Sequence, residues 1–140
     1  MAAIVDYNGP DVPLGWVGVV AAGTPVQLTS VIDPGGTLAP EVSNRTAGML
    51  YPPFRFQQLI LTGMKPKGGG GAENNTGNVY IVRAGYTRAD LDGVVAIIAA
   101  GQTFFLASSP QITDTWNPYR YWVDADNNGD GVFVVGIKQG

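Results

Sequence analysis

The chain's apolar positions fall in short runs broken by glycine and proline, and no run keeps a helical period. Val26-Gln27-Leu28-Thr29-Ser30-Val31 alternates apolar with polar until its last step, the pattern of a strand with one face buried and one wet. Phe54 to Thr62 is the longest clean strand run. Phe54 and Phe56 share one parity and Leu59 and Leu61 the other, which predicts a bulge near Gln57-Gln58 or a strand buried on both faces. Trp16 to Val20 predicts a first strand, with Gly18 marking a bulge or a close approach. Val79 to Val82, Val94 to Ile98 and Thr103 to Leu106 add three more, the last two spaced as a hairpin around Ala99 to Gln102. A single helical turn is expected near Arg88 to Leu91.

The strongest local signal lies at Tyr119 to Val135. Tyr119 to Val123 is aromatic and β-branched, Val132 to Val135 is equally strand-like, and Asp124 to Gly131 is rich in Asp, Asn and Gly that let the chain reverse. The pattern predicts a hairpin, with a last strand running on to Ile137. About eight short strands and no amphipathic helix predict an all-β protein, a jelly-roll-like β-sandwich of antiparallel strands.

Three stretches break the pattern. Residues 1–15 carry Asn8-Gly9-Pro10, Pro13 and Gly15, and read as an extended N-terminal arm or a disordered tail. The sandwich domain is then 16–140, and removing residues 1–14 is expected to leave it folded. Residues 33–53 hold Pro34, Gly35, Gly36, Pro40, Gly48, Pro52 and Pro53, and predict a projecting loop. Residues 63–78 predict a second loop, made free by Gly68 to Gly71. Ile4, Val5, Tyr7 and Leu14 in the arm, with Met49, Leu50 and Tyr51 in the first loop, are the expected partner interface, because arms with so little regular structure cannot easily cover them.

Composition narrows the function more than it names it. Charged residues make up 14% of the chain, against roughly 25% in an average soluble domain. Much of the surface is therefore neutral: either it lies against a partner, or this is a small β domain with a neutral exterior. Net charge is −3 and the eight Lys and Arg are scattered, so no phosphate footprint for nucleic acid is expected. Cysteine and histidine are both absent, which excludes disulfides, thiolate and imidazole metal sites, and Ser-His triads. Residues 1–6 show no secretory signal pattern, and Val94 to Ala100, the longest apolar stretch, is too short to span a bilayer. No membrane partner is expected, and synthesis is expected in the cytoplasm.

Candidate chemistry is sparse. Asp124-x-Asp126-x-Asn128-Gly129-Asp130 copies the first half of a calcium loop, but Val135 stands where the bidentate Glu belongs, and strands flank it. An Asx-rich turn without metal is the expectation, with a weak calcium site as the alternative. Gly68 to Gly71 lacks the Gly-Lys-Ser/Thr and following helix of a phosphate loop. No pair of carboxylates stands out for acid–base work. Trp16, Trp116 and Trp122, with Tyr7, Tyr51, Tyr119 and Tyr121, are either sugar-stacking rings or core and interface residues. No catalytic residue and no cofactor is expected.

Asn75-Thr76-Gly77-Asn78-Val79-Tyr80-Ile81-Val82, then Ala100-Gly101, then Tyr121-Trp122-Val123-Asp124-Ala125-Asp126 with Gly129-Asp130-Gly131-Val132, resembles a pattern in small virion proteins of tailed phages. Gly23-Thr24-Pro25-Val26-Gln27-Leu28-Thr29 is similar too. In size and layout the chain resembles jelly-roll capsid cement (decoration) proteins, such as that of Bordetella phages. The resemblance implies a non-enzymatic protein on the exterior of the virion. It would bridge neighbouring major capsid proteins and form a symmetric dimer or trimer. Segments 33–53 and 68–71 lie outside the shared pattern. A carbohydrate-binding or tail-fibre-associated sandwich module is the alternative.

Overall fold

The computed structural model describes residues 11–28, 58–107 and 120–137. Ten strands occur among them: β1 (Asp11–Gly18), β2 (Val26–Gln27), β3 (Gln58–Thr62), β4 (Met64–Pro66), β5 (Ala72–Asn74), β6 (Val79–Arg83), β7 (Val94–Ile98), β8 (Thr103–Ala107), β9 (Tyr121–Ala125) and β10 (Gly131–Ile137). A 3-10 turn, Leu91–Gly93, leads into β7, close to the helical turn expected from sequence. The protein is an all-β sandwich of antiparallel sheets. One sheet has the order β1-β10-β3-β8 and the other β2-β9-β6-β7, while β4 and β5 form a small sheet of their own. With that small sheet set aside and the other strands counted along the chain, the sheets read first-eighth-third-sixth and second-seventh-fourth-fifth.

Period-two patterning builds the core. Along β3 burial alternates, with Leu59 and Leu61 wholly buried, and β10 turns Val132 and Val134 inward. The second sheet answers with Val79, Ile81, Ile98, Val123 and Ala125, and the two sets form one cluster with Val17, Val19 and Leu28. Each large aliphatic side chain so buried contributes about 1.5–3 kcal/mol in transfer terms.

Several expectations change. Tyr119 to Val135 is not a hairpin: β9 pairs with β2 and β6, whereas β10 pairs with β1 and β3. Val123 and Ala125 therefore face Val132 and Val134 across the core instead of standing beside them in one sheet. The backbone agrees. A tight two-residue turn of the favoured kind needs positive φ at both central residues, and in this turn only Gly129 has it. The same correction applies to β7 and β8, which lie in different sheets. Among the described strands of the two four-stranded sheets, only β6 and β7 are successive in the chain and lie in the same sheet.

The first strand begins at Asp11, five residues before the expected start, and pairs with β10 along its length. The chain accommodates Pro13 because β1 is an edge strand and its register shifts between Pro13 and Gly15. The backbone of residues 11–15 thus belongs to the sandwich and not to an arm, and removing residues 1–14 would take part of a strand with it. The bulge expected near Gln57-Gln58 is absent from the described part of β3, whose register is regular from Gln58 to Thr62 against both neighbours. Gln57 lies outside the described residues. A second bulge lies in the β6–β7 pair: Ile81 faces Ala96 and Val82 faces Val94, so the extra residue is Val95, on β7. Residues 63–78 are not a featureless loop: β4 pairs with β5, and Gly69, Gly70 and Gly71, all at positive φ, form the tip of that hairpin. The loop 33–53 lies outside the described residues.

Candidate functional site

Two features outside the core could carry function: the polar turn after β9 and the outward face of the first sheet. The turn is a set of brackets. Asp124 points away from the core that Val123 and Ala125 face, yet it is fully buried, because the turn after β1 and the β6–β7 loop close over it. Its carboxylate accepts from the backbone N–H groups of Gly23 (2.8 Å), Arg88 (2.9 Å) and Ala125 (2.8 Å). The Arg88 guanidinium lies 3.7 Å from Asp124 and 3.6 Å from Asp126, and donates to the Ala125 carbonyl at 2.8 Å. Tyr80 donates its hydroxyl to Asp126 at 3.0 Å. Burial, then that bond to Asp126, pushes the Tyr80 phenol above its usual range.

Asp130 binds a different loop. Its buried carboxylate accepts from the N–H groups of Thr76 and Gly77 (both 3.0 Å), from the Thr76 hydroxyl (3.0 Å) and from Lys65 Nζ (3.3 Å). Burial alone would raise its pKa, but these donors outweigh burial and hold the carboxyl below its ordinary value. Next to it, Asn75 acts as a strand partner for Gly131, donating to its carbonyl at 2.8 Å and accepting from its N–H at 3.2 Å. Asn128 Oδ1 accepts from Ala22 N–H at 2.7 Å.

The oxygens of Asp124, Asp126, Asn128 and Asp130 therefore diverge onto protein donors in three different loops. A calcium loop needs them to converge on one ion. Among the described residues, no group of three or more Asp or Glu is arranged to hold a metal. The turn ties the connections at the end of the sandwich together.

The first sheet's outward face has the opposite character. Cross-strand register places Phe105 beside Ile60 and Ile60 beside Val135, which makes an apolar row across β8, β3 and β10. The next row runs Thr103, Thr62, Phe133, Trp16. With Gln58 and Ile137, none of these side chains is charged. Phe105 is 54% exposed, and Ile60, Phe133 and Val135 are half-buried. The β4–β5 hairpin borders this face, and a shallow groove between its glycine tip and Phe133 is lined by Pro66, Lys67 and Ala72. The charged groups of the bracket, Arg88, Asp124 and Asp126, gather by the second sheet instead.

Trp16 closes one end of the face. Its indole N–H donates to the Met64 carbonyl at 3.1 Å, and its ring covers Gly18, where a Cβ would collide with it. This is the close approach that Gly18 signalled in the sequence. Trp122 lies on β9 in the other sheet, and Trp116 is outside the described residues.

Of the expected interface residues, Ile4, Val5, Tyr7, Met49, Leu50 and Tyr51 lie outside the described residues. Leu14 has its backbone in β1, at the register shift. The sequence reading passed over Ile60, Phe105, Phe133 and Val135. A signal was available: Thr103 to Leu106 and Val132 to Val135 are apolar at both parities, so their outer face is apolar as well as their inner one. No family model, curated protein or solved structure matches the chain.

Proposed function

We propose that the chain is a non-enzymatic capsid cement protein, which binds the outside of a tailed-phage capsid and bridges neighbouring major capsid proteins. The observation that carries this reading is the uncharged apolar face of Phe105, Ile60, Val135 and Phe133. Charge depletion with aromatic enrichment marks the buried centre of protein interfaces. The strand order supports the jelly-roll form of the sandwich, in which the chain passes between two sheets as paired Greek keys. The two fully buried carboxylates among the described residues, Asp124 and Asp130, are engaged by structural donors in different loops. Sugar stacking has less support: Trp16 covers Gly18, and the described tryptophans stand on different sheets.

The test is co-sedimentation of the purified protein with emptied tailed-phage shells that lack decoration. The wild-type protein pellets with shells to a fixed stoichiometry, and Val135→Lys, on the uncharged face, does not. Binding that Val135→Lys leaves intact removes the face from the account. Absence of binding to every shell, with binding to immobilised glycans, replaces the reading with the carbohydrate one.

A further inference from the structure

Among the described strands, the two four-stranded sheets have four edges, and they are not protected equally. An edge strand exposes a row of free backbone donors and acceptors, and proteins usually blunt such rows with proline, bulges, charge or short length. On β1, Pro13 removes a donor and the register shifts beside it. Strand β2 has only two residues. Strand β7 carries a bulge of its own at Val95. Strand β8, Thr103-Phe104-Phe105-Leu106-Ala107, has none of these devices: it has five residues, no charge and no proline, and a regular register against β3.

Hydrogen-bond phase shows which groups of β8 are free. Gly63 N–H donates to the Gln102 carbonyl at 2.8 Å, which makes Thr62 and Thr103 a non-hydrogen-bonded pair. Their side-chain oxygens lie 3.3 Å apart, as such close pairs allow. The alternation then assigns the main-chain groups of Phe104 and Leu106 to β3. Those of Thr103, Phe105 and Ala107 point to the open edge, where β8 has no neighbour among the described strands. Phe105 is the middle residue of the strand, so the free groups are arranged symmetrically about it.

We infer that β8 is a homodimer edge: it pairs antiparallel with β8 of a second copy about a two-fold axis at Phe105. Phe105 exchanges both main-chain bonds with the partner's Phe105. Thr103 pairs with the partner's Ala107, and Ala107 with the partner's Thr103, about six bonds in all. A two-fold contact places each residue against its own symmetry mate region, and an uncharged strand meets no like charge there. The union joins two four-stranded sheets into one continuous sheet and doubles the uncharged outer face. A strand of an unrelated protein would lack this symmetry about Phe105.

The test uses the isolated full chain and needs no capsid, so its failure is separate from failure of the cement reading. Sedimentation should give twice 14.7 kDa. The chain has no cysteine of its own, so Phe105→Cys introduces a single thiol. A hydrogen-bonded antiparallel pair sets Cα atoms about 5.5 Å apart, within disulfide reach. Mild oxidation should therefore convert Phe105→Cys to a covalent dimer, while Ile97→Cys on the exposed side of β7 stays monomeric on denaturing gels. Phe105→Lys should sediment at 14.7 kDa with an unchanged circular dichroism spectrum. A wild-type monomer at every concentration overturns the inference. So does an oligomer that Phe105→Lys leaves intact and Phe105→Cys does not cross-link.

Discussion

Replacing Asp130 by alanine tests whether the polar turn is structural. The carboxylate is fully buried and receives four bonds, two from the backbone of the β5–β6 connection, one from a hydroxyl and one from an ammonium. Removing it leaves the Thr76 and Gly77 N–H groups without their acceptor, at about 1–3 kcal/mol each, and strips Lys65 of its counter-charge. Breaking a buried charged pair from one side costs about 3–5 kcal/mol in all. At roughly 3 °C per kcal/mol for a chain of this size, melting should fall by about 10–15 °C. Lys65→Ala should cost less than about 1 kcal/mol, because the backbone donors to Asp130 remain. The pH dependence has a definite sign. The folded-state pKa of Asp130 is depressed, so its contribution is present above the unfolded value near 4 and is lost as pH falls through the folded value. The acid limb of a melting-temperature profile should therefore flatten in Asp130→Ala. The reasoning fails if the variant melts within about 2 °C of wild type or keeps the full acid limb.

Three other outcomes follow from the same geometry. Gly131→Ala places a Cβ against the Val17 carbonyl and 2.8 Å from Gly18 Cα, so urea unfolding should show a loss of about 1–3 kcal/mol; a neutral result would mean that β1 and β10 are not in such close contact. Tyr80 and Tyr121 should both titrate late when phenolate absorbance is followed, and Tyr80→Phe should reduce that late component; the stabilising effect of Tyr80 is present below the unfolded value near 10 and is lost as pH rises through the higher folded value. Deleting residues 1–14 removes the pairing of Asp11 to Pro13 with Val135 to Ile137 and should lower melting measurably below that of a variant lacking only 1–10; equal melting of the two would contradict the placement of β1.

The strands were legible because burial on one face writes a period of two, and Leu59, Leu61, Val79 and Ile81 obey it. Pairing was less legible. Tyr119 to Val135 carries the same residues whether its strands lie side by side or across a core, and only the β-sheet neighbours decide which. Pro13 looked like the end of order because a proline cannot serve a central strand, but an edge strand with a register shift tolerates it. Asp124 and Asp130 were visible as a cluster, yet their partners, Gly23, Thr76 and Arg88, are distant in sequence, so convergence on a metal and divergence onto loops read alike. The uncharged face was legible only in part: a run such as Val132 to Val135, apolar at both parities, says that both faces are apolar, but not which one is left outside until the sheets are assembled.

Electron cryomicroscopy of tailed-phage shells incubated with the protein tests the central claim most directly. The account predicts added density outside the shell, bridging adjacent capsid proteins, with Phe133 and Val135 turned toward the contact. Shells without added density, or bound protein with that face open to solvent, would contradict it.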